Sequence, residues 1–484
     1  MVSSTVLPLL GSLFVAGAAA AETVHGVVVF TRHGDRTTKH YGAQELTRLG
    51  ASQCFQVGSD YRSRYIASGS THRIAGISEF DYVSSQVYAS APSAPILMNT
   101  ATAFLQGLYP PLVGLDAEVA SQTLNNGSKV TSPLNGYQYV TLQGVVGNSP
   151  DTIWIKGDDA CPAYTEAADA FEQSVEFQTR VSETRDFYQG FFPVLKSVYD
   201  YDSPSDLSYA KAYDIFDLIN VARIHNATSP ARDAISEDQL FQLRTLADSA
   251  EFGFNYNRTQ PARSIHAETL AGAVLAQLNK TVAAAGKLKF SLLAGSYDTF
   301  QAFFGLTNLT AASPDFFGLP GYASTMAFEL FSPDSRTSFP SDPNASLRVR
   351  FLFRNGTDST LDTFSLFGGT EDSLSWPEFV EKMQTRAITT TAKWCTACGS
   401  KADFCAVYSD KTATAALPSS ERSLSNAVAG AIGAMVMLGV VGIVGILAFV
   451  LMRKRAARAA PVTMAMPAGK GGLSRSESGD SSEV

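Results

Sequence analysis

The chain has 484 residues, 45% of them apolar and 17% charged, with a net charge of −8 at pH 7. This length supports a sizeable core, and the composition is that of a globular protein, not a disordered one. The acidic balance excludes nucleic acid as a partner, because binding a phosphate backbone calls for a basic face.

Residues 1–21 read as a secretory signal, in which a short apolar core precedes small residues with A-x-A spacing. A strand rich in valine (Val27, Val28, Val29) then runs into FTRHGDRTTKH, which sets His33 between Arg32 and Arg36. Charge and apolar spacing over 43–66 predict a helix lying on a sheet, residues 84–90 a second strand, and 99–111 a helix stopped by Gly107 and the prolines. Alternating strands and helices imply an α/β body with crossovers. From 165 to 252 the spacing is helical, with a capping serine at Ser236, and predicts a mainly helical inserted subdomain. The sheet returns at 289–306, where a short apolar strand leads into a helix from Thr299. Residues 325–331 and 347–354 alternate like antiparallel strands.

The expected fold class is therefore α/β, a mostly parallel central sheet flanked by helices. The body comprises 22–164 and 253–415, with the helical insertion at 165–252. A stalk at 416–426 leads to an uncharged apolar run at 427–452, long enough for a membrane helix. Arg453, Lys454 and Arg455 follow it and mark the cytosolic side of a polar, disordered tail at 453–484. The expected topology is a single-pass type I membrane protein with its ectodomain outside the cell or in a secretory or vacuolar lumen. Sequons at Asn126, Asn226, Asn257, Asn279, Asn308, Asn344 and Asn355 agree. Among five cysteines, Cys395, Cys398 and Cys405 cluster. One local disulfide is expected there, a second using Cys54 or Cys161, and one cysteine left over. The cluster lacks a fourth zinc ligand, and His25, His40, His72 and His225 read as ordinary polar positions. No metal and no cofactor is expected.

Two arginines around a histidine at the carboxyl end of a strand suit a phosphomonoester. Guanidinium groups compensate the non-bridging oxygens, and a neutral imidazole attacks phosphorus to give a phosphohistidine. RHGDR resembles the R-H-G-x-R signature of the histidine acid phosphatases, the family of secreted acid phosphatases and phytases. LTRLGASQCFQVGSDYRSRY, ATAFLQGLYPP, SLLAGSYDTFQAFFGL and YASTMAFELF resemble further landmarks of that family in order. The resemblance implies His33 as nucleophile, Arg32 and Arg36 as phosphate ligands, and Asp298 as proton donor.

The pattern departs from the family in three places. Thr38 stands where a proline is usual. No arginine occurs between Ile74 and Thr179, so a third phosphate-binding arginine is missing near Ala94 or Ile96, and Lys129 or Lys156 could replace it only by a detour. In AGSYDT, Tyr297 replaces the histidine of the family's His-Asp pair. SIHAET offers an alternative donor, Glu268, with His266 as its companion, although its position in the chain favours Asp298. The expected function is a membrane-tethered phosphomonoesterase. The alternative is a catalytically weak or inactive binding or scaffold protein with the same fold.

Overall fold

The computed structural model describes residues 22–409 of the chain. The expected signal, stalk, membrane segment and tail lie outside the described residues. Among those described, no helix is long and apolar enough to cross a membrane.

Eight strands form one sheet: β1 (Thr23–Arg32), β2 (Val87–Pro92), β3 (Gln143–Val145), β4 (Phe290–Gly295), β5 (Thr325–Ser332), β6 (Arg348–Arg354), β7 (Asp362–Thr363) and β8 (Ser373–Ser375). Their order is β8-β6-β5-β1-β4-β2-β3, with β7 beside β6. Strands β1, β4, β2 and β3 run parallel. The expected antiparallel pair at 325–331 and 347–354 is β5 with β6, and β5 also pairs antiparallel with β1.

β1 is central and buried on both faces, which its β-branched run accommodates. Val27 and Val29 pack against one apolar layer and Val28 and Phe30 against the other. The first layer rests on α1 (Arg48–Tyr65) and α2 (Pro95–Leu108). Both helices start away from the sequence estimates for a local reason. Thr47 caps α1 by accepting from the Gly50 amide at 3.0 Å, and Pro95 occupies the first turn of α2.

Between β3 and β4 the chain is mainly helical, as expected. It includes α3 (Pro162–Glu172), α4 (Val175–Glu183), α5 (Ala212–His225) and α6 (Glu237–Asn255). Ser236 caps α6 in a reciprocal box with Gln239. These helices bury their own core, in which Phe177, Ile215, Ile219 and Leu243 meet Tyr297 and Leu319 of the body. Helices α7 (Ile265–Ala283), α8 (Tyr297–Leu306) and α9 (Trp376–Gln384) pack on the second face of the sheet. The last labelled helix, α10 (Thr391–Cys398), carries two cysteines. Cys395 pairs locally with Cys405, Cys398 reaches Cys161, and Cys54 is left free and buried.

Candidate active site

The R-H-G-D-R loop leaves the carboxyl end of β1. Its backbone touches the start of α1, and only glycine fits this approach. A Cβ on Gly34 would lie 2.3 Å from the Gly50 carbonyl oxygen, and one on Gly50 would lie 2.0 Å from that of Asp35. The parallel register pairs Arg32 with Gly295. Tyr297 and Asp298, just past the end of β4, therefore open at the same sheet edge as His33. β5 closes the other side: the Ala323 amide donates to the His33 carbonyl, and Arg32 donates its amide to Ser324.

His33 is 3% exposed. Its Nδ1 lies 2.9 Å from the Gly34 carbonyl. A carbonyl only accepts, so Nδ1 carries the proton and the Nε2 lone pair is left for attack. Burial, then Arg32 and Arg36, and more weakly Lys39, hold the imidazole pKa well below its ordinary value. This favours the neutral imidazole, the form that nucleophilic attack requires.

Arg32 donates to the Pro320 carbonyl and lies over the rings of Tyr322 and Tyr297, with its guanidinium carbon 4.7 and 5.2 Å from their centroids. Arg36 is fully buried and pairs with Asp217 of α5 at 3.0 Å. The Nε–H groups of both arginines are buried and have no hydrogen-bond partner. Two orphaned donors flanking one histidine are what an anion would satisfy.

Asp298 lies in the first turn of α8 and accepts from the Thr299 amide at 2.8 Å. Burial alone would push its carboxyl up, but His266, Lys156 and Lys39 together outweigh it and hold the pKa below the usual aspartate range. Asp158, nearby and half-buried, is pushed up by desolvation and by the Asp298 charge. His266 donates from Nε2 to the Asp298 carbonyl at 3.2 Å, so the H-A-E segment meets the Tyr-Asp segment through its histidine. Glu268 lies two positions further along α7, about 200° round the helix axis. It lines a groove with Tyr256, Arg258, Leu306 and Arg386, and burial pushes its pKa up to about 7.

Several residues that the sequence did not single out meet here. Lys39 lies 4.9 Å from the ring centroids of both Tyr213 and Tyr297. Its charge acts on both His33 and Asp298. Of the two lysines weighed from sequence, Lys156 acts on Asp298, whereas Lys129 pairs with exposed Glu118. Ala94 is exposed and Ile96 buried, and neither supplies a charge. His40 pairs with Asp200 and Asp214, and His225 with Asp35, so both fasten the loop to the helical insertion. The i,i+4 spacing of Tyr213 and Asp217 on a helix was the one available sequence signal for that surface.

A model of the histidine phosphatase superfamily (branch 2) matches residues 38–354, beginning just past the His33 loop. The lysosomal acid phosphatase of Xenopus laevis is 24% identical over 367 residues, covering 72% of this chain and 74% of that protein. The prostatic acid phosphatase of Bos taurus is 21% identical over 333 residues, covering 66% of this chain and 76% of that protein. Among solved structures, a phytase of Klebsiella sp. ASR1 aligns with a TM-score of 0.51 at 14% identity, over 77% of this chain and 96% of that one. That last likeness shows the fold alone. With a family match across most of the chain, over a sheet and loop of this form, the protein belongs to the histidine phosphatase superfamily, branch 2.

Proposed function

We propose that the protein hydrolyses phosphomonoesters through a phosphohistidine on His33. The observation that carries this reading is the pair of unpartnered Nε–H donors, from Arg32 and Arg36, on either side of an imidazole whose Nδ1 is already committed to Gly34. Nε2 attacks phosphorus, the ester P–O bond breaks, and Asp298 protonates the leaving oxygen. Water then attacks the phosphohistidine, giving its proton to the Asp298 carboxylate, and the P–N bond breaks to release phosphate. The low Asp298 pKa means that its proton-donating form accumulates only in acid.

The test is acid-labile labelling. Protein quenched during turnover of a 32P-labelled aryl phosphate should carry label that is lost in acid and kept in base. His33→Ala should carry none. Label retained by His33→Ala would refute the assignment of the nucleophile.

The ectodomain is proposed to work outside the cell or in a secretory lumen, tethered through residues 427–452. Six of the seven sequon asparagines are exposed and Asn257 is half-buried, which supports access for glycosylation. Glycosidase treatment of the cellular protein should lower its apparent mass. A second reading, a phosphatase-fold binding protein, is favoured by the covering of the site: Tyr297 and Tyr322 lie over Arg32, and His33 is almost wholly buried. Equal inactivity of wild type and His33→Ala on every ester would select it.

A further inference from the structure

The three nitrogens of Arg36 can be accounted for one by one. Nη1 donates to the Thr37 carbonyl at 2.8 Å and to Asp217 Oδ2 at 3.1 Å. Nη2 donates to the Tyr213 hydroxyl at 2.9 Å and forms an ion pair with Asp217 Oδ1 at 3.0 Å. Both terminal nitrogens are therefore engaged within the protein. Nε–H is different: it is buried and without a partner.

Asp217 is just as completely engaged. It is 2% exposed, and besides the two Arg36 contacts it accepts from the Thr38 hydroxyl at 3.0 Å and the Lys39 amide at 2.9 Å. Thr38 is the position where the family pattern has a proline. Its hydroxyl supplies one of the hydrogen bonds that Asp217 receives, and proline has no such donor. The aspartate comes from α5 of the helical insertion, 181 residues from Arg36 in the chain.

We propose that Asp217 is the positioning residue of the phosphate pocket. It clamps the guanidinium fork of Arg36 and leaves the unpartnered Nε–H to a phosphate beside His33. The inference rests on the reading of the His33 loop as a phosphate pocket. A purely structural ion pair would be expected to satisfy every donor it buries, because an orphaned one carries a desolvation penalty. Arg36 keeps an orphan at Nε, and Arg32, on the other side of His33 in the sequence, keeps the same orphan. The same unmet donor on both arginines points to one shared acceptor that arrives from outside.

The clamp also sets the charge of the site. Asp217 compensates Arg36 one for one, so the net positive charge offered to a phosphate comes from Arg32 and Lys39. Lys39 is itself held by this unit, since its amide is one of the Asp217 donors and its ammonium lies against Tyr213 and Tyr297. Seating α5 on the loop therefore places two of the three cations around His33.

The two roles open to Asp217 predict opposite signs. If it positions Arg36, removing its charge lets the guanidinium swing away, and phosphate binding weakens. If it merely masks Arg36, removing its charge leaves a more positive pocket, and phosphate binding tightens. The experiment is calorimetric titration of purified full-length protein with inorganic phosphate at pH 5, together with kinetics on an aryl phosphate. Asp217→Asn should bind phosphate about 10-fold or more weakly, with KM raised by a similar factor and kcat changed less, as for the loss of one charge-assisted contact. Asp217→Glu, which keeps the charge, should recover part of the affinity. Affinity equal to wild type, or tighter, in Asp217→Asn overturns the proposal. Should that variant not fold, Thr38→Val removes a single donor from Asp217 and should weaken phosphate binding a few-fold; no weakening overturns the proposal equally. A wild type that binds phosphate but is never labelled at His33 sinks the phosphatase reading alone, and the affinity comparison still decides the role of Asp217. A wild type that binds no phosphate sinks both.

Discussion

The Tyr297 hydroxyl bridges two opposite charges: it accepts from Lys39 Nζ at 3.1 Å and donates to Glu251 Oε2 at 2.9 Å. Tyrosine occupies the position where the family pattern has a histidine, and here it ties the sheet edge to α6. Burial raises the Glu251 pKa, against the lowering effects of Lys39 and the Tyr297 hydrogen bond.

Tyr297→Phe should remove the bridge and leave Glu251 without its donor. The expected loss is about 1–3 kcal/mol of stability, read as a lower midpoint in denaturant. Tyr297→His places an imidazole there, whose positive charge builds up as pH falls. It should raise kcat/KM on phosphate esters at pH 5, with less gain at pH 7.5. An equal gain at both pH values would show that the charge is not the cause.

The two candidate acids separate by leaving group. Asp298→Asn should slow hydrolysis of an alkyl phosphate by about 10²–10⁴-fold, and that of an activated aryl phosphate much less. Glu268, turned into a separate groove, should be nearly silent as Glu268→Gln. The reverse ranking would move the proton donor to α7.

His25 sets a limit on acid stability. It is 2% exposed, and its Nε2 contacts the Ser332 hydroxyl at 2.7 Å. Burial, Lys289 and Arg336 lower its pKa to about 4, with Asp334 opposing. Between pH ~6.5 and about 4 the unfolded chain takes the proton and the folded one does not. The neutral His25 therefore favours folding fully above pH ~6.5, and that contribution falls away as pH drops towards 4. His25→Gln should flatten the fall in thermal midpoint between pH 6.5 and 4. An unchanged slope would exclude His25 as its source.

The two disulfides should differ in what they contribute. Cys161–Cys398 closes a separation of 237 residues and Cys395–Cys405 one of 10. On loop-closure entropy alone the long link stabilises by ~2–3 kcal/mol more. It also fastens a small core around Trp394, whose indole donates to the Gly157 carbonyl at 2.7 Å. Cys161→Ser should therefore lower the thermal midpoint more than Cys405→Ser does. Equal losses would show that local packing, not chain closure, dominates.

The sequence by itself determined the α/β class, the strand that delivers His33, the helical insertion and the order of the family landmarks. These are legible because they depend on short-range patterns: a β-branched run, helical spacing, a capping serine and glycines at a turn. His33 with Arg32 and Arg36 was readable for the same reason, since the three lie within five residues. Tertiary structure alone decided what surrounds them. Asp217 reaches Arg36 across 181 positions, Tyr297 reaches Lys39 across 258, and Cys161 reaches Cys398 across 237. Periodicity carries no information about such pairs, because a buried charge selects its partner through space once the helices have docked. The placement of Asp298 and Glu268 was decided in the same way. Both sit in plausible motifs, but parallel strand register carries one to the His33 edge, and helical rotation turns the other away.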